Sequence, residues 1–156
     1  MKKLFTILCA AVLSLGVSAQ TESGNMLVSA TSNLSYVSGD AGSMSLGVGA
    51  GYFVMDNFAV LAGLNYSKSE GQDEATTIIG IGGRYYMGSM YGGLLYVIGP
   101  DYGFASYTGL DLNVGYNHML TDNISLEPSL HYGMGMGDFS EADAVISLNV
   151  GFGLYF

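Results

Sequence analysis

The sequence has no tryptophan, two prolines and a single cysteine, Cys9. Only four of its 156 residues are Lys or Arg. Charged residues make up 11% of the chain, where about 25% is usual for a soluble domain. Each shortage excludes something. One cysteine cannot form an internal disulfide. Four bases against thirteen Asp and Glu give a net charge of −9, and such a surface does not bind nucleic acid by counterion release. After the first twenty residues no run approaches 18 apolar residues, so no transmembrane helix is expected there. Helical periodicity is also missing.

What the chain does have is glycine (24 residues), tyrosine (12) and a hydrophobic fraction of 49%. It opens with "MKKLFTILCAAVLSLGVSAQ". A basic start at Lys2 and Lys3, an apolar run to about Val17 and the small residues of "VSA" read as a secretory signal peptide cut after Ala19. The expected organisation is therefore a signal peptide over 1–19 and one domain over 20–156. Loss of Lys2 and Lys3 moves the net charge from −9 to −11. The domain keeps only Lys68 and Arg84 as strong bases, and it holds no cysteine.

Through that domain, alternation with period two recurs between turn-forming clusters, which predicts strands. Eight are read, over about 25–38, 43–54, 58–68, 76–87, 91–99, 107–120, 124–136 and the closing stretch "AVISLNVGFGLYF". The second sets Met44, Leu46, Val48, Ala50 and Tyr52 against Ser45, Gly47, Gly49 and Gly51. The fifth, "YGGLLYVIG", is apolar on both faces and leaves its register open. Connections alternate between short turns ("MDN", "GSM", "TDN") and longer loops. The loops hold much of the charge, at Glu70, Asp73, Glu74, Asp101, Asp138, Glu141 and Asp143. Residues 46–66 also align without gaps on 112–132, through shared ancestry or shared hairpin constraints.

Two closed architectures fit strands with one apolar face. A soluble barrel turns that face inward, whereas a membrane barrel turns it out to lipid. Charge separates them. A water-facing surface needs charged residues, but the polar faces here hold Gly, Ser, Thr and Asn with isolated charges at Arg84, Asp111 and Glu127. In lipid every backbone N–H and C=O must pair internally, so such a sheet must close. The expected fold is all-β, an eight-stranded antiparallel up-and-down transmembrane β-barrel. Tyr36, Tyr52, Tyr66, Tyr85, Tyr116 and Tyr132 fall toward strand ends on the outward face, as interfacial girdles do.

The signal peptide, eight strands, "DN" turns and the ending "SLNVGFGLYF" resemble the small outer-membrane β-barrel domain family, the OmpA/OmpX-like barrels of Gram-negative envelopes. The resemblance spans essentially all of residues 20–156. It implies an integral outer-membrane protein in contact with lipid and lipopolysaccharide. It also implies that Leu148, Val150, Phe152, Leu154 and Phe156 are the sorting signal read by the outer-membrane assembly machinery. No further domain follows, so the barrel is expected to be the whole mature protein.

Candidate chemistry is sparse, and no cofactor or metal site is expected. Glycine-rich pieces such as "GIGG" follow strand alternation and precede no helix, so they are not phosphate loops. His118 falls on the outward face near "TDN". Ser129 and His131 share the inward face; the two residue types resemble the Ser and His catalysts of some eight-stranded lipid A deacylases and acyltransferases, but no motif of those enzymes is matched. The sequence shows no orienting acid beside them, so no catalytic site is assigned and the protein is read as a non-enzyme. Arg84 and Glu127 each lie about four residues from a short turn and are expected to pair low in the lumen. The acidic loops read as a solvated exterior, with an unknown extracellular ligand as the alternative. The expected role is structural or surface-interacting. A narrow channel for passive passage of small solutes is the second reading.

Overall fold

Successive side chains on a strand point to opposite faces, so alternation sorts residues into two environments. A computed structural model describes residues 20–35, 43–69, 76–101, 106–140 and 144–156. The signal-peptide reading, Tyr36, Glu70, Asp73, Glu74, Glu141 and Asp143 lie outside the described residues.

Eight long strands form: β1 (Met26–Ser35), β2 (Ser43–Met55), β3 (Phe58–Ser69), β4 (Thr76–Met87), β5 (Met90–Asp101), β6 (Ser106–Tyr116), β7 (Ile124–Gly135) and β8 (Val145–Tyr155). Each pairs antiparallel with the next. The last returns to the first, from Leu27 opposite Tyr155 to Asn33 opposite Asn149. That seam closes the sheet into an up-and-down barrel. Closure leaves no strand edge open among the described residues, which is the condition for a β-structure in hydrocarbon.

The apolar positions face outward. Val48 is 53% exposed, Ile81 56%, Leu148 62% and Phe152 54%. In water a continuous belt of this kind would be an aggregation surface; in a bilayer it meets lipid. β5, ambiguous in the sequence, resolves the same way. Leu94, Tyr96 and Ile98 point out, while Tyr91 is buried inside.

The sixth strand departs from the continuous 107–120 run. It ends at Tyr116, and a two-residue bridge, His118–Met119, pairs with Leu126 and Ser125 beyond a break at Asn117. Pro128 is the cause: in the register that pairs Gly115 with Ser129 and His118 with Leu126 it falls opposite Tyr116, and it has no N–H to give the ladder. On its other side Asn117 continues the pairing with β5, its backbone N–H donating to the Ser89 carbonyl (2.6 Å), and its side chain is buried in the lumen.

The turns at Asp56–Asn57, Gly88–Ser89 and residues 120–123 share one end of the barrel. Asn57 (φ 64°) and Gly88 (φ 66°) take the left-handed conformation there, which Gly and Asn tolerate best. Residues 20–25 fold across this short-turn end. The Asn57 N–H donates to the Thr21 carbonyl (2.7 Å), the Thr21 hydroxyl to Asn57 Oδ1 (2.7 Å), and the Gln20 amide to the Asp122 carbonyl (2.8 Å).

Candidate functional site in the lumen

The lumen has two layers. The lower one, near the short turns, is filled by Leu27, Phe53, Tyr86, Tyr91 and Tyr155, each at most 2% exposed. Phe53 and Tyr86 ring centroids are 5.5 Å apart, Tyr86 and Tyr91 5.6 Å, and Phe53 and Tyr155 6.3 Å, all at tilted angles. These separations suit edge-to-face aromatic contact.

An ion pair sits on this aromatic layer. Arg84 Nη1 donates to Glu127 Oε2 at 2.8 Å, and both side chains are buried. The Arg84 guanidinium also lies 4.1 Å from the Tyr91 ring centroid, within cation–π range. The other carboxylate oxygen, Oε1, accepts from the Tyr155 hydroxyl and the Ser125 hydroxyl, each at 2.8 Å. The Asn117 amide donates to the Tyr155 hydroxyl at 2.8 Å. In a setting of low polarity the pair is helped by the partners that the carboxylate oxygens find and by the Tyr91 ring beneath the guanidinium, while Arg84 Nε is buried with no hydrogen-bond partner among the described residues. Glycine makes room for it: a Cβ at Gly153 would strike the Glu127 carboxylate, and one at Gly115 would strike the Tyr91 ring.

Above this layer the lumen opens into a cavity of about 450 Å³. Its floor is Arg84 and Tyr91, and it reaches Thr76, Pro100, Tyr107 and Val145 near the long-loop end. One wall carries a hydrogen-bonded relay. The Ser129 hydroxyl lies 3.1 Å from His131 Nε2, and His131 Nδ1 lies 2.8 Å from Asp111 Oδ1. The Asn113 amide donates to the same Asp111 oxygen at 3.2 Å. An ionised carboxylate only accepts, so Nδ1 carries the proton, and in neutral His131 Nε2 accepts from Ser129. Opposite Ser129 in the β7–β8 register stands Asn149. It is buried, and its Oδ1 has no partner among the described residues.

The sequence-predicted positions fall as follows. Arg84 and Glu127 are brought together. Leu148, Val150, Phe152, Leu154 and Phe156 all project outward along β8 and past its end. His118 is exposed and stacks on Tyr116, with ring centroids 6.4 Å apart. Ser129 and His131 share the lumen wall, and the acid that sequence reasoning did not find beside them is Asp111. It comes from the adjacent strand β6, where Asp111 opposes Gly133 and Asn113 opposes His131. The aromatic floor was also missed as a unit, although strict alternation from Arg84 places Tyr86 inward. Among the described residues no cluster of three or more His, Cys, Asp or Glu could hold a metal ion.

A closed eight-stranded antiparallel barrel with a lipid-facing apolar belt and a filled polar lumen is an integral outer-membrane β-barrel. Solved structures carry the same fold. The N-terminal β-barrel domain of Pseudomonas aeruginosa OprF matches with a TM-score of 0.63 at 14% identity, covering 86% of this chain and 98% of that one. Neisserial surface protein A matches with a TM-score of 0.59 at 18% identity, covering 85% and 96%. Ail, the attachment invasion locus protein of Yersinia pestis, matches with a TM-score of 0.53 at 13% identity, covering 86% and 99%. At these identities the shared property is the fold. No family model matches the chain, and no curated protein does.

Proposed function

We propose that this protein is a non-conducting outer-membrane barrel with a structural or surface-interaction role, its long-loop end presented outside the cell. The observation that carries this reading is the buried layer of Phe53, Tyr86, Tyr91 and Tyr155 capped by the Arg84–Glu127 pair. Eight strands leave an interior just wide enough for side chains to fill, and here large ones fill its lower half. That favours a surface role over the channel reading. In barrels of this class the short turns face the periplasm and the longer loops the exterior, which puts the open cavity on the outer side. A surface role is also in keeping with the names of the neisserial surface protein and of Ail. Such a role requires no catalytic step.

The test is single-protein conductance in planar bilayers. The folded chain passes no stepwise current, and the triple variant Tyr86→Ala, Tyr91→Ala, Tyr155→Ala opens one. Reproducible unit steps from the unaltered protein would establish the channel reading instead.

A further inference from the structure

The surface role leaves the upper cavity without a task, and its wall carries the parts of a nucleophilic site. We propose that Ser129, His131 and Asp111 form a catalytic relay that hydrolyses carboxylic esters of short acyl chains entering from the long-loop end.

Geometry comes first. A serine nucleophile needs a base in hydrogen-bond reach, and the base needs a group that fixes its tautomer. Ser129 to His131 is 3.1 Å and His131 to Asp111 is 2.8 Å, with the two ring nitrogens used separately. That is the order nucleophile, base, acid, and such relays are recognised by geometry whatever the fold. Asn113 donates to the same Asp111 oxygen that receives the base's Nδ1–H and helps to fix it. All three members sit on β6 and β7, paired strands of a closed sheet rather than a loop, so the arrangement is rigid.

The surroundings fit a substrate. The cavity's volume of about 450 Å³ lies within the roughly 300–1,000 Å³ typical of small-molecule sites. Leu61, Leu95 and Val97 also line it, Leu95 beside Asp111 in the β5–β6 register, giving an acyl chain an apolar berth. Asn149 is buried and faces Ser129 across one strand pair. Directly opposed residues have Cβ atoms about 4.5–5.5 Å apart, which brings the Asn149 amide N–H within reach of an oxyanion formed on a carbon bonded to Ser129 Oγ. Such a donor is the kind that stabilises tetrahedral intermediates.

The step balances. Ser129 Oγ bonds to the ester carbonyl carbon while its proton moves to His131 Nε2, and the carbonyl π pair becomes the oxyanion. Collapse re-forms the carbonyl and breaks the bond to the alkoxy oxygen, which takes the proton from His131 and leaves as the alcohol. Water then attacks the acyl-serine, delivers its proton through His131 Nε2 to Ser129 Oγ, and releases the carboxylic acid. Asp111 stays ionised throughout and holds Nδ1–H.

The test uses the folded protein in phosphatidylcholine vesicles, with folding verified by its heat-modifiable gel mobility. A fluorophosphonate probe is expected to add one phosphonyl group, located by peptide mass spectrometry on Ser129. Turnover of p-nitrophenyl butyrate is expected to fall at least about 100-fold in Ser129→Ala and in Asp111→Asn, since general-base assistance contributes about 10²–10⁴. Asp111→Asn is nearly isosteric and guards against misfolding as the cause of loss. A folded, unaltered protein that takes no adduct at Ser129, or whose turnover matches that of Ser129→Ala, overturns the assignment. So does an adduct confined to another serine.

Discussion

The Arg84–Glu127 pair rests on residues that surround it rather than on its charges alone. Removing one partner strands the other in a buried site, which costs about 3–5 kcal/mol. Glu127→Ala should therefore lower the unfolding free energy by about that amount, measured by urea titration in lipid vesicles. The double replacement Arg84→Met with Glu127→Leu should lose clearly less, because no unpaired charge remains. Equal losses would mean that the charges are not coupled. Much at this scale was legible. Arg84 and Glu127 stand out as charges on faces otherwise built of Gly, Ser and Asn, and Ser129 with His131 follows from a spacing of two. Asp111 was not legible as their partner, because a diagonal contact depends on the stagger between β6 and β7, which a single strand's pattern does not encode.

Among the elements, β8 displays the lipid-facing argument most cleanly. Val150 lies at the middle of Val145–Tyr155 and is exposed on the outer face. Val150→Lys should destabilise the barrel by about 2–4 kcal/mol, and Leu154→Lys, nearer the strand end, by only about 0–1 kcal/mol. Urea unfolding of both variants in vesicles checks the gradient, and a flat response would argue against a membrane-buried face. Strand existence and facing were readable because alternation and turn residues act locally. The break before His118 was not, because it depends on the β6–β7 register, which sets Pro128, without an N–H, opposite Tyr116. The facing of β5 was hidden by apolar residues on both sides. It is settled by Tyr91, which the lumen accommodates only because Gly115 stands opposite.

For the whole molecule, the composition already carried the main decision: too few charges for a water-facing sheet, enough glycine for a crowded lumen. Closure then follows from backbone hydrogen bonding in lipid, and the aromatic floor follows from closure at eight strands. The central claim is that the apolar face meets lipid and the small polar face meets the lumen. Because residues 20–156 contain no cysteine, single cysteines at positions 147, 148, 149, 150 and 152 can each carry a nitroxide label. Collision rates with oxygen and with a water-soluble nickel chelate, measured by electron paramagnetic resonance in vesicles, then read the environment directly. The account predicts high oxygen and low nickel accessibility at 148, 150 and 152, and low oxygen accessibility at 147 and 149. The reverse pattern, with labels at 147 and 149 open to nickel and the even positions shielded from both, would contradict it and describe a soluble barrel with an apolar core.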